Sequence, residues 1–330
     1  MSFTSCRVYK DVNGIQHRIE EQEDYVLQER QVLIKIAYSG INYKDALGVT
    51  GTAPIYKHYP INAGIDCAGE VVESRSEKVS VGQTVLVNGC GLGETQDGGF
   101  SEMVAVPEDW VINMPDKLTP KTAMIYGTAG FTAALALDRM IENGQTPEMG
   151  PIIVSGASGG VGSFALTMLS ELGYESIAVT GKLDQSDYLK QLGATSVCSI
   201  DDLDLGSAPL EKARYGGMID NVGGDLLSQC YTHINLWGNV ACIGMAASPK
   251  LSATVFPLIL RGVSLLGVSS TNCPMPRRRK IWQWIADDLL SEQLTMIVSE
   301  ELPLARVSEG FAKLLKRNNR GRILVRCQSD

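Results

Sequence analysis

The sequence predicts an α/β protein, with a doubly wound parallel sheet in the middle of the chain and β-rich material before it. Three observations carry that prediction. Residues 152–268 alternate strand-like and helix-like runs, with six strands in all. A glycine-rich turn within Ile152-Ile153-Val154-Ser155-Gly156-Ala157-Ser158-Gly159-Gly160-Val161-Gly162 joins the first of those strands to its helix. Before about position 120 the chain shows short strands punctuated by glycine and little helical periodicity.

In the N-terminal part, strands are expected at 32–36, 69–73 and 82–87, with a short helix at 43–47. The texture changes near Lys121, where an alanine- and leucine-rich helix is expected at 122–139. The sheet then takes strands at 152–155, 176–180, 196–200, 218–222, 239–243 and 264–268. Helices are expected at 161–172, 184–192 and 225–234; in the first, Val161, Ala165, Met168, Leu169 and Leu172 share a face. Parallel neighbours need crossovers, so six such strands make a doubly wound sheet. Past Ser270 the alternation stops. A helix at 277–290 sets Ile281, Trp282, Ile285, Leu289 and Leu290 at helical spacing for core packing, and a strand at 321–325 closes the chain.

A chain of 330 residues is long for one core, so two domains are expected. Hydrophobic residues at 44% and charged residues at 20% describe an ordinary globular protein. A formal charge of −8 argues against a nucleic-acid partner, which would need a basic face. Neither a signal peptide nor a membrane-length apolar run is evident, so the expected location is cytoplasmic. The eight cysteines are scattered without a C-x-x-C pair and read as free thiols.

Ala157-x-Gly159-x-x-Gly162 is a relaxed dinucleotide fingerprint. Its value comes from context: it follows a strand and opens a helix, where free backbone N–H groups receive a pyrophosphate. Ser158, Gly159, Gly160, Val161 and Gly162 are therefore candidate cofactor contacts. An NAD site usually ends its second strand in a carboxylate that takes the ribose hydroxyls. Here the strand runs into Thr180-Gly181-Lys182, a hydroxyl, a glycine and a cation. A 2′-phosphate would find charge-assisted bonds there, each worth about 1.5–3 kcal/mol. NADP (as NADPH) is the expected cofactor.

Several segments resemble the medium-chain dehydrogenase/reductase superfamily. They are Ser39-Gly40-Ile41-Asn42-Tyr43-Lys44-Asp45-Ala46, Gly127-Thr128-Ala129-Gly130-Phe131-Thr132-Ala133 and the glycine turn. More narrowly, Tyr59-Pro60-Ile61-Asn62-Ala63-Gly64-Ile65-Asp66, Gly150-Pro151, Phe256-Pro257-Leu258-Ile259-Leu260-Arg261-Gly262-Val263 and Gly321-Arg322 resemble its zinc-free acrylyl-CoA reductase branch, also labelled quinone oxidoreductase-like. The resemblance implies a GroES-like catalytic domain from 1–124 and 273–330, a Rossmann domain at 125–272, a cleft site between them and a homodimer. It also puts Asn42 and Ile65 where zinc-dependent relatives have a cysteine and a histidine, so no metal is expected.

Without a metal, reduction of a simple ketone loses its main electrophile. Conjugate reduction asks less: hydride adds to the β-carbon of an α,β-unsaturated carbonyl, and a few donors near the carbonyl oxygen suffice. The resemblance places Asn42 and Tyr43 beside the nicotinamide as donors, Tyr43 either donating to the enolate or packing on the ring. Asp45 joins them as a catalytic candidate or as a backbone cap. Thr128, Met245 and Ser269 are implied cofactor contacts. The substrate expected is an acrylyl-CoA-type thioester, with quinone or enal reduction as the alternative and non-catalytic NADPH binding outside both. The basic run Arg277-Arg278-Arg279-Lys280 either meets CoA phosphates or is the solvated start of a helix.

Overall fold

In the computed structural model, which describes residues 2–328, the chain divides into two compact units. One comprises the chain up to Thr128, Ser270–Asp288 and the chain from Leu294 onward; the other is Ala129–Ser269 with Leu289–Gln293.

The first unit opens with a hairpin of β1 (Ser2–Asp11) and β2 (Gly14–Glu23), antiparallel from Ser2↔Glu23 to Asp11↔Gly14. It continues through β3 (Gln31–Ile41), α1 (Tyr43–Val49), β4 (Ile61–Asn62), β5 (Asp66–Ser74), β6 (Thr84–Asn88), β7 (Met103–Pro107) and β8 (Ile112–Asn113). The division falls inside α2 (Pro120–Glu142), which bends at Gly127, where φ is 48° and ψ −152°. The helix at 122–139 is thus longer than expected and broken.

The second unit holds β9 (Ile152–Ser155), α3 (Gly160–Glu171), β10 (Ser176–Val179), α4 (Ser186–Gln191), β11 (Ser196–Cys198), β12 (Tyr215–Asp220), α5 (Gly224–Cys230), β13 (Ile234–Cys242), α6 (Phe256–Arg261) and β14 (Ser264–Gly267). The chain then returns to the first unit with α7 (Met275–Asp287), α8 (Leu294–Ile297), β15 (Val298–Pro303), α9 (Val307–Leu315) and β16 (Arg322–Arg326). The expected helices at 184–192 and 225–234 are shorter than read: Leu183–Gln185 and Tyr231–His233 are single 3₁₀ turns at their ends.

The six strands of the second unit pair in parallel in the order β11-β10-β9-β12-β13-β14. That is the doubly wound order, with its switch point between β9 and β12. Every residue of both strands is buried, as a strand covered on two faces requires. In the first unit a seven-stranded sheet runs β15-β16-β3-β5-β6-β8, with β7 also on β3, over a core of Val32, Ile34, Ile36, Val71, Val85 and Phe311. β3 lies between β16 and β5, and that adjacency builds the site. Its antiparallel register on β16 pairs Ile41 with Ile323 and Gly40 with Leu324.

The basic run is not a solvated helix start as a whole. Arg278 is fully buried; its guanidinium donates to the carbonyls of Asn88 (2.6 Å), Ser270 (2.8 Å), Thr271 (3.0 Å) and Cys273 (3.2 Å). Its charge is committed to loop backbone, so it does not serve CoA phosphates either. Trp282 is buried beside it and donates to Asn88 Oδ1 at 2.9 Å.

Candidate active site

In the first unit the end of β3, the start of α1, β5 and β16 converge on a buried polar network. Asp66, fully buried on β5, accepts from the Gly40 N–H through Oδ1 (3.1 Å). Its Oδ2 accepts from Asn42 Nδ2 (3.0 Å) and from the Thr128 N–H (2.8 Å). Arg322, carried in by the β3–β16 pairing, donates through Nη1 to Asn42 Oδ1 (2.9 Å) and the Ile41 carbonyl (3.0 Å), and through Nε to the Ile125 carbonyl (3.2 Å). Its Nη2 lies 3.7 Å from Asp66 Oδ2. Glycine makes the space: a Cβ on Gly40 would run into the Arg322 guanidinium, and one on Gly127 would sit 2.6 Å from Arg322 Nη2 and 2.7 Å from Asp66 Oδ2.

The network corrects one expectation and decides between the two readings of another. Asn42 does not offer its amide to a substrate carbonyl. Both of its hydrogens are taken, by the Gly40 carbonyl (3.1 Å) and Asp66, and its oxygen holds Arg322. Asp45 is 1% exposed and accepts the N–H groups of Asn42 (2.8 Å) and Ile65 (3.2 Å), so it fixes backbone and faces no ligand. Burial, and then the neighbouring Asp66 charge, push its carboxyl up to about 8. Tyr43 behaves differently: it opens α1 and is 41% exposed. Beside it, Lys44 extends to Glu94 Oε1 (2.8 Å) and Thr271 Oγ1 (3.0 Å).

In the second unit all the cofactor candidates fall at the carboxyl ends of parallel strands, where open α/β sheets bind ligands. Ser158, Gly159, Gly160, Val161 and Gly162 follow β9; Thr180, Gly181 and Lys182 follow β10; Met245 and Ser269 follow β13 and β14. Gly156 turns the chain with φ 58°, and a Cβ on Gly162 would sit 2.6 Å from Ala157 Cα, the close helix–strand approach such a turn needs. α3 carries no acidic residue in its first turn, which leaves its N-terminus open to an anion. Thr180 Oγ1 accepts the Lys182 N–H at 3.0 Å and lies 3.4 Å from Ser158 Oγ, joining the two loops. Burial lowers the Lys182 ammonium from its ordinary range, with Asp184 working against that.

Nothing in the sequence pattern singles out Asn221 as a site residue, and Lys44, Asp66 and Arg322 enter it only within family segments. Asn221, just past β12 at the switch point, donates from Nδ2 to the Ser155 carbonyl (2.8 Å), while its buried Oδ1 has no partner among the described residues. A buried acceptor without a donor beside a phosphate-type turn fits a ligand hydroxyl. The second unit's donor set therefore suits a dinucleotide with a 2′-phosphate.

Two sequence profiles match the chain: the alcohol dehydrogenase GroES-like domain over residues 28–116 and the zinc-binding dehydrogenase domain over 160–288. YhfP of Bacillus subtilis, which is provisionally named a quinone oxidoreductase, is 41% identical with 98% of each chain covered. The chain belongs to the medium-chain dehydrogenase/reductase family.

Acrylyl-CoA reductase AcuI of Ruegeria pomeroyi shares 38% identity with this dehydrogenase/reductase over 89% of each chain. The structure of Salmonella enterica YhdH in complex with NADP superimposes with a TM-score of 0.94 at 36% identity, covering 99% of this chain and all of that one. YhfP with NAD bound gives 0.95 at 41%, covering 99% of each. The zinc of other dehydrogenase/reductases does not fit here. Asn42 is bonded on both sides, Ile65 is an aliphatic side chain at 3% exposure, and no three His, Cys, Asp or Glu gather among the described residues.

Proposed function

We propose that this protein uses NADPH to reduce the C=C bond of an α,β-unsaturated acyl thioester of the acrylyl-CoA type. The observation that carries the reading is the buried Asn42–Asp66–Arg322 network, which commits Asn42, the residue that the resemblance sets in place of a zinc-binding cysteine, on both sides of its amide. Conjugate reduction spreads its charge over an enolate and tolerates hydrogen-bond donors in place of a metal. When bound, NADPH supplies the hydride. On this reading Thr180, Gly181 and Lys182 hold the 2′-phosphate, residues 158–162 hold the pyrophosphate, and Asn221 Oδ1 accepts a ribose hydroxyl. Thr128, Met245 and Ser269 meet the cofactor, and the Asp66 network fixes the backbone on which Tyr43 is presented. Tyr43, exposed at the head of α1, is the hydroxyl free to donate to the enolate or return a proton. The name of the Ruegeria relative supports the thioester; that of YhfP supports quinone reduction as the second reading.

The test is loss of reduced-nicotinamide absorbance with acrylyl-CoA, crotonyl-CoA and a benzoquinone, each with NADPH and NADH. Turnover of acrylyl-CoA with NADPH is expected; turnover confined to the quinone would transfer the protein to the second reading. We further read the protein as cytoplasmic, with its eight cysteines as free thiols, and as a homodimer. β14 ends its sheet, and Trp237 on the adjacent β13 and Ile259 and Leu260 on the preceding α6 stand 69%, 72% and 60% exposed, a face suited to a second copy. Sedimentation at micromolar concentration should give twice the chain mass, and a monomer would remove that reading.

A further inference from the structure

Hydride addition to an enoyl thioester moves the C=C electron pair toward the carbonyl oxygen, and that oxygen needs a donor at that moment. The network removes the obvious ones. Asn42 has spent both amide hydrogens, Arg278 is fully buried on loop carbonyls, and Arg322, whose Nη2 has no hydrogen bond among the described residues and only the 3.7 Å approach to Asp66 Oδ2, is 3% exposed. One cation of the same segment remains. Lys44 is the second residue of α1, and its side chain is 33% exposed. Its ammonium bears three N–H groups. Glu94 Oε1 at 2.8 Å takes one and Thr271 Oγ1 at 3.0 Å takes another. The third has no partner among the described residues.

We propose that Lys44 is a catalytic residue: Glu94 and Thr271 fix its ammonium so that the third N–H is held for the thioester carbonyl oxygen. This rests on the enoyl reduction proposed above. Glu94, 14% exposed on its side chain, and Thr271 remove the rotamer freedom that makes an exposed lysine a poor positioned donor. Thr271 also follows Ser269, an expected nicotinamide contact, by two residues in the chain. The balance is simple. Hydride from reduced nicotinamide becomes the new C–H at the β-carbon, and the C=C pair shifts to the carbonyl oxygen as an enolate. The pair then returns to form the α-carbon C–H with a proton from solvent or Tyr43. Lys44 keeps its protons throughout and acts by charge and hydrogen bonding.

The experiment compares the unmodified protein with Lys44→Met, Lys44→Arg and Thr271→Val, each assayed for acrylyl-CoA turnover and, separately, for NADPH binding by fluorescence titration. Loss of one oxyanion donor costs on the order of 100-fold in kcat, so Lys44→Met should fall by that amount. KM for the thioester should change by less than about 3-fold. NADPH affinity should stay within about 2-fold, Lys44→Arg should recover part of kcat, and Thr271→Val should lose less than Lys44→Met. Turnover by Lys44→Met within about 2-fold of the unmodified protein overturns the proposal. So does a parallel loss of NADPH affinity, which would make Lys44 a cofactor-binding residue. If Lys44→Met fails to fold, Lys44→Gln against Lys44→Arg carries the same comparison. An unmodified protein that binds NADPH but turns over no thioester removes the functional reading and Lys44 with it. Thioester turnover with Lys44→Met unimpaired removes Lys44 alone.

Discussion

The two units set their candidate residues on opposite principles. In the first unit, Asn42, Asp45, Asp66 and Arg322 are all less than a tenth exposed and bond chiefly to one another and to nearby backbone. In the second, the glycine turn, Lys182, Met245 and Ser269 present backbone and side chains at the open end of a sheet; Met245 is 69% exposed. Polar groups that face each other inside a fold stabilise and position it. Polar groups at an open strand end lie where open α/β sheets take their ligands.

Substitutions should separate those roles. The largest effect is expected from Arg322→Met, which leaves Asp66 buried without its cation. Breaking a buried pair in this way costs about 3–5 kcal/mol, so urea unfolding should show a large loss of stability. A loss below about 1 kcal/mol would mean that the network does not hold the first unit together. Next comes Lys182→Glu, on the binding side. Replacing the proposed 2′-phosphate donor with a carboxylate should weaken NADPH by on the order of 100-fold, leave NADH nearly unchanged and barely move the melting temperature. An equal loss for both nucleotides would deny Lys182 any contact with a 2′-phosphate. The smallest effect, read one pH unit at a time, concerns pH. The Asp45 carboxyl, raised from 3.8 to about 8, binds its proton more tightly folded than unfolded. Its contribution to stability is full below about pH 4 and is lost as pH rises through about 8. The stability of the unmodified protein relative to Asp45→Asn should therefore fall across that window, by up to about 1.4 kcal/mol per pH unit. A flat difference would mean that Asp45 stays ionised in the fold.

Much of the second unit can be read from the chain alone, because its signals are local. Ile152–Ser155, the glycines and α3 lie within about twenty residues, and the period of the pattern reports both strand and helix. The β1–β2 hairpin carries an equally local signal, Asn13-Gly14, yet β2 is polar on both faces and shows no clean alternation. The network of the first unit is illegible for another reason. Arg322 meets Asn42 across 280 positions, through a β3–β16 register that no local pattern encodes. Arg278 shows the same limit: among Arg277, Arg279 and Lys280 it looks like one more surface charge, and only the carbonyls of distant loops decide that it is buried.

The bend at Gly127 has a consequence of its own. An unbroken α-helix consumes its N–H groups internally from the fifth onward. Interrupting α2 frees the Thr128 N–H from that ladder, and Asp66 receives it at 2.8 Å. The discontinuity thus exports a main-chain donor to the network, one that no side-chain substitution at 128 can delete. It can be withdrawn only by mending the helix, and the bend itself is kept for glycine: on the present backbone a Cβ at 127 would meet both Arg322 and Asp66.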